Sequence, residues 1–277
     1  MMCASTRQER KHLGAIPIFV GNSRGDMGRQ AASDVAAELR RRLAVQHRVR
    51  MIFAAAPSQS PMLEALLREP DTDWGRVSAF HMDEYLGLPE DAPQRFGVWL
   101  SGALFDRLPF AEVHLLSAGD DPSQSADRYA QKLSEAPIDL VCLGVGVNGH
   151  LAFNDPPADF DDPASVKIVH LDEICRQQQV SDGCFSTLEE VPRSALTLTI
   201  PRLLAAQRIY CCVPGSQKRK AVVHMLEGPI GADCPATALR LHPHCVLYLD
   251  PDAAPDGVTT NREYRDEMVS SLNNSRK

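Results

Sequence analysis

The sequence predicts a three-layer α/β/α domain with a mostly parallel β-sheet between two layers of helices. Short apolar or β-branched runs alternate along the chain with amphipathic stretches of helical period, which is the pattern of repeated strand–helix units. Residues 138–145 are apolar on both faces, as is typical of a central parallel strand. The 277 residues are 44% hydrophobic, which is enough for a large core, so we expect a single domain.

In the first half of the chain, strands and helices alternate regularly. The predicted strands are apolar or β-branched runs, and the predicted helices carry apolar residues at helical spacing. The strands are residues 16–20, 50–55, 77–82 and 113–116, and the helices are residues 27–45, 62–68, 96–108 and 123–133. This alternation predicts a modified Rossmann-like fold.

The second half begins with the strand over residues 138–145 and continues through a proline-rich segment. Its further predicted strands are residues 166–171, 195–200, 208–213 and 246–249, with one helix over residues 216–226. We expect residues 1–14 to be a flexible N-terminus, residues 15–256 to form the domain, and residues 257–277 to be a C-terminal tail.

The composition argues against several classes of function. The formal net charge is −7 and the pI is about 5.7, whereas a nucleic-acid partner requires a basic surface. No apolar run approaches the ~20 residues that span a bilayer, and the N-terminal residues contain no signal-peptide segment. The eight cysteines are scattered without a C-x-x-C pair, so we expect a cytoplasmic protein with reduced cysteines and no structural zinc.

The segment GVGVNG at residues 144–149 matches the G-x-G-x-x-G fingerprint of dinucleotide-binding folds. In those folds a helix begins at the third glycine, and its N-terminus binds the pyrophosphate. Here the prolines of HLAFNDPPADFDDP follow Gly149 and exclude a helix of useful length. Asp172 then has the spacing of a ribose-binding acid only by coincidence, and we expect no dinucleotide cofactor.

The same loop brings polar side chains to the end of a predicted strand. Asn148, His150 and Asp155 follow the strand closely, and ligands in parallel sheets bind beyond the carboxyl ends of the strands. For an isolated histidine, a glycine turn with a hydrogen-bonded ring is the simpler interpretation. Polar residues at other strand ends favour a binding site.

Three other predicted strands also end in polar residues. FHMDEY places Asp83 and Glu84 side by side, so in an extended segment one faces the pocket and the other holds the loop, unless both form a helix-capping turn. VPGSQK offers free N–H groups, a hydroxyl and the Lys218 ammonium, which suit a phosphate or a solvated basic helix start. Residues 58–60 form a weaker turn of the same kind.

Together, FHMDEYLGLP, GVGVNGHLAFNDP and VPGSQK resemble the motifs of the glucosamine-6-phosphate deaminase (isomerase) family, in the same order along the chain. The resemblance runs from Ile16 to Asp250. The related 6-phosphogluconolactonases share the fold, but the AFNDP and MDEY strings favour the deaminase branch. The resemblance implies conversion of a hexosamine 6-phosphate, such as glucosamine 6-phosphate, to fructose 6-phosphate and ammonia, without a metal or an organic cofactor.

The resemblance also implies a role for each matching residue. Asp83 is the base that moves a proton between C2 and C1 of the open-chain sugar, His150 opens the pyranose ring, and Lys218 holds the phosphate. The predicted site comprises, for catalysis, Asp83, His150, Asn148 and Asp155; for substrate binding, Glu84, Gly146 and Ala152; and for phosphate binding, Ser58, Gln59, Ser60 and Lys218. A histidine suits two-way proton transfer near neutral pH, and a bound phosphate orients the reacting carbons.

The chain departs from the family pattern at the histidine and at the phosphate. The family has an Asp two residues before the histidine and a Glu five residues after it, where this chain has Asn148 and Asp155. Asparagine can orient the imidazole but adds no charge, and the shorter Asp155 implies a shifted backbone or a water-bridged contact. In the family an Arg also clamps the phosphate; Gln179 or Val180 lies nearest to that position, with Arg176 as a candidate substitute.

Two other functions stay open at this point. A 6-phosphogluconolactonase-like lactonase needs His150 as a base but no proton transfer between carbons, and a non-catalytic sugar-phosphate sensor needs only the pocket. The presence of both Asp83 and His150 favours an enzyme. The expected partner is a small-molecule sugar phosphate, with neither nucleic acid nor membrane, and a homo-oligomer is left open.

Overall fold

A seven-stranded parallel sheet forms the centre of the computed structural model, which describes residues 16–117, 119 and 121–266. The strands are β1 (Ile18–Val20), β2 (Val49–Phe53), β3 (Val77–His81), β4 (Asp83–Tyr85), β5 (Glu112–His114), β6 (Leu140–Leu143), β7 (Val166–His170), β8 (Ser194–Leu198), β9 (Arg208–Val213) and β10 (Cys245–Leu249). The helices are α1 (Arg24–Leu43), α2 (Ser60–Leu66), α3 (Phe96–Leu100), α4 (Pro122–Ser134), α5 (Glu173–Ser181), α6 (Ile200–Leu204) and α7 (Arg219–Glu227).

The main sheet has the strand order β1-β10-β9-β6-β2-β3-β5, and every neighbouring pair is parallel. This confirms the predicted α/β class. The four strands after which the sequence places polar residues are β9, β6, β2 and β3, and these four are neighbours in the sheet. Their carboxyl ends therefore share one edge, at the point where the strand order reverses between β6 and β2.

Both faces of the main sheet are buried. In β6, Val141 and Leu143 contribute to one hydrophobic core, while Leu140 and Cys142 contribute to the core on the opposite face. This alternation explains why residues 140–143 are apolar at every position, since a strand covered on both faces exposes neither set of side chains to water.

A second, three-stranded antiparallel sheet has the order β4-β8-β7. Residues 166–171 and 195–200 were predicted as strands, but the sequence did not indicate that they leave the parallel sheet. The chain continues from β3 into β4 without an intervening helix, and the Leu198 amide donates to the Met82 carbonyl at this junction, with an N–O distance of 2.8 Å. The small sheet thus holds Asp83 beyond the carboxyl end of β3.

Two helical segments differ from the prediction. Residues 96–108 form α3 followed by one π-helical turn over Ser101–Phe105, so the predicted single helix is shorter and irregular. Helix α5 was not predicted. Its N-cap is Asp172, whose carboxylate accepts a hydrogen bond from the Cys175 amide, and an Asp at this position is a standard signal for the start of a helix.

Residues 257–266 pack back onto the domain. Asn261 accepts a hydrogen bond from the Ile18 amide (3.0 Å) and donates one to the Ile16 carbonyl (2.9 Å). The Tyr264 hydroxyl donates to Asp34 in α1 at 2.8 Å. Part of the segment assigned to a tail is therefore anchored to β1 and α1, whereas residues 1–14 and 267–277 lie outside the described residues. Among the described helices, none has both the length and the apolar character needed to cross a membrane.

Helices α1 and α2 approach each other closely at Gly28. A Cβ built on Gly28 would lie 2.5 Å from the Pro61 carbonyl carbon, so we expect Gly28→Ala to destabilise the protein by about 1–3 kcal/mol through overpacking. Gly25 in the same helix is a matched control, because its Cβ would meet no atom closer than 3.4 Å. Gly25→Ala should be neutral or stabilise by up to about 1 kcal/mol. Urea unfolding midpoints test both variants, and equal midpoints would contradict the close contact.

Candidate active site

A cleft opens where β9, β6, β2 and β3 end, the edge at which ligands bind in parallel α/β sheets. Each of the four strands supplies part of its wall. The lining residues are Ala54, Ala55, Ala56, Ser58 and Gln59 after β2; Met82 and Asp83 after β3; Gly144, Val145, Gly146, His150, Ala152 and Phe153 after β6; and Lys218 after β9. Phe96, Gln178 and Gln179 complete the wall.

His150 is held by the two residues predicted to flank it. Its Nδ1 atom lies 2.7 Å from Asn148 Oδ1 and 3.2 Å from Asp155 Oδ1. Both neighbours are acceptors, so Nδ1 carries the proton and Nε2 is the lone-pair nitrogen of the neutral ring. The contact with Asp155 is direct, so of the two alternatives given for the shorter side chain, a shifted backbone or a water bridge, the water bridge does not apply. Asn148 and Asp155 do not line the cleft and act on it through His150.

Asp155 is ionised in this arrangement. Its burial by itself raises the pKa, but the hydrogen bonds and the charge of His150, with further hydrogen bonds from Asn148 and the Asp172 amide, hold the pKa below its usual value. A carboxylate in contact with Nδ1–H stabilises the imidazolium that forms when Nε2 accepts a proton. Asp155 thus supplies the charge that Asn148 lacks.

Asp83 faces the cleft with its carboxyl group removed from water. The residue is 6% exposed, and its Oδ1 atom has no hydrogen-bond partner among the described residues. Burial, and secondarily the charge of Glu84, raises the pKa of Asp83 well above the usual range of an aspartate. A buried, unpaired carboxyl group at the edge of a cleft is characteristic of an acid–base residue rather than of a structural one.

Glu84 was predicted to bind the substrate, but it does not line the cleft. Its side chain turns to the opposite side of β4 and accepts hydrogen bonds from the amides of Tyr85 (2.9 Å), Phe96 (3.1 Å) and Gly97 (3.0 Å). Arg95 lies 3.5 Å from the same carboxylate. Adjacent residues of a strand point to opposite faces, so Glu84 fixes the start of α3 while Asp83 faces the cleft.

Lys218 supplies a positive charge at the opposite wall of the cleft. It is 3% exposed, and its ammonium makes no hydrogen bond or ion pair within the described part of the chain. Burial lowers the pKa of Lys218 to about 8, although Asp182 partly offsets this effect. The Gly215 amide, predicted as a free donor, is instead bound by both carboxylate oxygens of Asp250 at 3.0 Å. An anion bound here therefore contacts the Lys218 ammonium, and the Gly215 amide is not available as a donor.

Of the three residues predicted to bind phosphate after β2, two line the cleft. These are Ser58 and Gln59, and the Gln59 amide donates to the Cys212 carbonyl at 3.1 Å. Ser60 begins α2 and does not line the cleft. The turn is a tight 3₁₀ helix over Pro57–Gln59, and successive side chains of such a turn point in different directions.

Gly146 and Ala152 line the cleft as predicted, and the backbone is specialised at both. A Cβ on Gly146 would lie 2.1–2.3 Å from atoms of the His150 ring, so only glycine allows the imidazole to pack there. Ala152 has a φ of 51°, a left-handed conformation that costs an L-residue on the order of 1 kcal/mol. Strained backbone of this kind concentrates at ligand sites.

Helix α5 contains Gln179 and Val180, the two residues predicted to lie nearest to the position of the family's arginine. Gln179 lines the cleft, as does Gln178, whose Oε1 accepts a hydrogen bond from the Val147 amide at 2.9 Å. The Val180 side chain packs against a hydrophobic core instead. Arg176 does not substitute for the missing arginine, because its guanidinium donates to the Val191 carbonyl, with an Nη2–O distance of 3.0 Å.

Three potential metal ligands, His150, Asp155 and Cys175, have donor atoms within 4.8 Å of one another. A metal ion would have to displace the proton on His150 Nδ1, which is hydrogen-bonded to Asn148 and Asp155. It would also require a thiolate, whereas burial raises the pKa of the Cys175 thiol. The geometry therefore favours a hydrogen-bonded network over a metal centre.

Sequence reasoning missed Gln178, Phe96, Phe153 and Asp172. Gln178 and Phe96 reach the cleft from segments with no motif of their own, whereas Phe153 lies within the AFNDP string but was not singled out. Asp172, dismissed as a chance match to a ribose-binding acid, contacts Asn148 with an Nδ2–Oδ2 distance of 3.0 Å. Its position before an amphipathic stretch was a usable signal, since it predicts a helix N-cap close to the glycine loop.

Known proteins are similar to this chain in both sequence and fold. The sequence model of the family described as glucosamine-6-phosphate isomerases/6-phosphogluconolactonase matches residues 22–247. A glucosamine-6-phosphate deaminase of Exiguobacterium sibiricum is 33% identical over 224 residues, which cover 80% of this chain and 87% of that protein. A glucosamine-6-phosphate deaminase of Bacillus cereus is 34% identical over 200 residues, or 72% of this chain and 75% of the relative.

Two solved structures illustrate the range of the fold. A monomeric glucosamine-6-phosphate deaminase superposes with a TM-score of 0.80 at 26% identity, covering 86% of this chain and 98% of that chain. A 6-phosphogluconolactonase from Thermotoga maritima superposes with a TM-score of 0.70 at 17% identity, covering 84% and 99%. The second likeness concerns the fold alone.

The contact between Gly146 and His150 predicts a specific defect. In Gly146→Ala the added methyl group occupies the volume of the imidazole, so the ring must rotate away from Asn148 and Asp155. We expect displaced imidazole NMR signals for His150 and a loss of stability of about 1–3 kcal/mol. Gly102→Ala is the control, because a Cβ there meets no atom within 4 Å. Unchanged His150 signals in Gly146→Ala would show that the contact is looser than described.

Proposed function

Because this chain belongs to the glucosamine-6-phosphate isomerase/6-phosphogluconolactonase family, we propose that it is a glucosamine-6-phosphate deaminase. It converts glucosamine 6-phosphate, or a closely related hexosamine 6-phosphate, and water to fructose 6-phosphate and ammonia. The curated relatives named above are deaminases. The chain spans most of their length, so the proposal concerns the whole catalytic unit.

The observation that carries the proposal is the state of Asp83. Its carboxyl group is buried in the cleft wall, its pKa is raised by burial, and one oxygen lacks a partner among the described residues. An ammonium or iminium group at C2 of an amino sugar supplies the positive charge and the N–H donors that this carboxyl group lacks. Binding of the amino sugar therefore converts Asp83 to the carboxylate that acts as the base.

The proton transfer requires Asp83 to reach two neighbouring carbons. In the open-chain aldose, the carboxylate takes the proton from C2 and returns it to C1, while one proton of the C2 ammonium passes to the C1 oxygen, which leaves a hydroxyl group at C1 and an iminium at C2. Water then adds to C2 and ammonia leaves, so the atoms balance as a hydrolytic deamination with isomerisation. A carboxylate can remove a carbon-bound proton only when the adjacent carbonyl or iminium makes that carbon acidic.

His150 prepares the open chain. Because Nδ1 donates to Asn148 and Asp155, Nε2 is free to accept the proton of the C1 hydroxyl group and to deliver a proton to the ring oxygen. The Asp155 carboxylate stabilises the imidazolium between the two transfers. Gly146 allows the ring to lie against the cleft floor.

The phosphate end of the substrate fits the wall formed by Lys218, Ser58 and Gln59. Lys218 is the one cleft-lining cation among the described residues, and burial makes its attraction for a phosphate stronger than it would be in water. Holding the phosphate restricts the reacting carbons to one position beside Asp83. Gln179 offers a neutral donor where the family pattern has an arginine.

A lactonase is the alternative within this fold. It would use His150 to activate water on 6-phosphogluconolactone, but such a substrate offers no cation to Asp83. A sugar-phosphate sensor would require neither acid nor base. The unpaired carboxyl group of Asp83 favours the amino sugar over both.

We also place the enzyme in the cytoplasm. Cys142, Cys211, Cys212 and Cys245 are buried as free thiols within the sheet, which is consistent with a reducing compartment. The partner is a small-molecule sugar phosphate. A homo-oligomer stays a prediction, to be checked by light scattering in solution.

Asp83→Asn tests the proposed mechanism. We expect kcat for ammonia release from glucosamine 6-phosphate to fall by about 100- to 10,000-fold, since the amide cannot accept the C2 proton. Ammonia and fructose 6-phosphate are measured by coupled assays, and hydrolysis of 6-phosphogluconolactone is measured in parallel. Asp34→Asn is the control, because Asp34 is similarly buried but lies away from the cleft. Lactone hydrolysis without ammonia release by the unmodified protein would favour the alternative.

The buried Lys218 predicts a basic limit to substrate binding. With a pKa of about 8, the ammonium is charged below that pH and is lost above it, so kcat/KM should decline as the pH rises through about 8. Lys218→Arg keeps its charge and should shift this decline to higher pH. Lys218→Met should raise KM by about 10- to 100-fold at pH 7, whereas Lys220→Met, at an exposed position in the first turn of α7, should not. An unchanged KM in Lys218→Met rules out the phosphate contact.

A further inference from the structure

The side-chain amide of Asn148 lies between two carboxylates. Its Nδ2 atom is 3.1 Å from Asp155 Oδ1 and 3.0 Å from Asp172 Oδ2. An amide nitrogen has two N–H groups, and here each meets a carboxylate oxygen. The reverse orientation would turn the amide oxygen toward both carboxylates and replace two attractive contacts by two repulsive ones. The two carboxylates therefore determine the orientation of the Asn148 side-chain amide.

This orientation helps to decide which nitrogen of His150 carries the proton, because Asn148 makes the shorter of the two contacts with Nδ1 and Asp155 Oδ1 lies at 3.2 Å. With Nδ2 facing the carboxylates, Asn148 Oδ1 faces His150 Nδ1 at 2.7 Å and also accepts the His150 backbone amide at 3.1 Å. The imidazole must then donate from Nδ1 and keep its lone pair on Nε2. A flipped amide would offer an N–H to Nδ1 instead and would favour the opposite tautomer, in which Nε2 cannot act as a base.

Asp172 is itself rigidly placed. Its Oδ1 atom caps α5 by accepting the Cys175 amide at 2.5 Å, and its own amide donates to Asp155 Oδ2 at 3.1 Å. The N-terminus of a helix stabilises a carboxylate. The same helix carries Gln178 and Gln179 into the cleft wall, so one carboxylate connects the helix to the histidine.

We propose that Asp172 is a positioning residue that sets the tautomer of His150 through Asn148. It touches neither the imidazole nor the cleft, and it acts by fixing the amide whose oxygen receives Nδ1–H. The catalytic consequence rests on the proposed deaminase function, but the tautomer does not. The second carboxylate thereby compensates for the asparagine that replaces the aspartate of the family pattern.

The test begins with Asp172→Asn. The new amide can cap α5 with its oxygen, but it then turns an N–H group toward Asn148 and repels Asn148 Nδ2. We expect a mixed or reversed tautomer in ligand-free protein, read from ¹⁵N-histidine NMR at a pH where the ring is neutral. We expect kcat to fall by on the order of 10-fold with little change in KM. Asp172→Ser keeps the cap but loses contact with Asn148, and it should act in the same direction.

Asp121→Asn and Asp121→Ser are the matched controls. Asp121 caps α4 in the same way, accepting the amides of Ser123 (2.9 Å) and Gln124 (3.1 Å), and is not part of the cleft. These variants measure the cost of altering a cap alone and should leave the His150 signals and kcat unchanged. If the Asp172 variants also keep the Nδ1–H tautomer, the proposal is wrong, whatever substrate the enzyme uses.

A reciprocal exchange gives a second, independent test. Asn148→Asp alone places a third carboxylate against Asp155 and Asp172, and it should impair activity. In Asn148→Asp/Asp172→Asn the charge moves next to His150, and the amide introduced at position 172 can donate to it, so kcat should recover relative to either single variant. Failure of the pair to recover, with native stability by thermal unfolding, overturns the proposal. If the Nδ1–H tautomer returns in the pair but no variant releases ammonia, the proposed function fails and the positioning role stands.

Discussion

The site depends on the parallel alignment of four adjacent strands. Because β9, β6, β2 and β3 run in the same direction, their carboxyl ends meet at one edge, and the loops that follow must share the same space. Residues as distant in the chain as Asp83 and Lys218 reach one cleft for this reason. The sheet is buried on both faces, so its register tolerates little movement. The scaffold therefore brings the cleft-lining residues together, and contacts with Asn148 and Asp155 then hold the His150 ring.

The rigid scaffold tolerates groups that would destabilise a protein elsewhere. Asp83 and Gln59 each have a buried oxygen without a partner among the described residues, and the Lys218 ammonium is largely removed from water. Desolvation of this kind costs about 1–3 kcal/mol for each polar group. The cost becomes useful when a substrate supplies the missing charges and donors, since binding then relieves it. A polar and charged sugar phosphate is the kind of ligand that completes such a cleft.

The surroundings of His150 compensate for Asn148, which stands where the family pattern has an aspartate. Asn148 provides no charge, but Asp155 contacts the imidazole directly and Asp172 holds the asparagine amide in place. The function of one charged neighbour is thus divided between a carboxylate that stabilises and an amide that orients. The second carboxylate comes from a separate helix, α5, which also contributes to the cleft wall. His150 is therefore connected to that wall through Asn148 and Asp172.

Hydrophobic periodicity and turn residues are local signals, and they were enough to predict the α/β class, most strands and helices, and the strand ends that line the cleft. They also indicated that Asp83 and Glu84 face opposite ways if their segment is extended. The fold was needed to show which of the two faces the cleft, that Ser60 and Arg176 turn away from it, and that β7 and β8 leave the main sheet. These outcomes depend on packing between segments far apart in the chain, and no local pattern encodes the direction in which a side chain meets a distant neighbour.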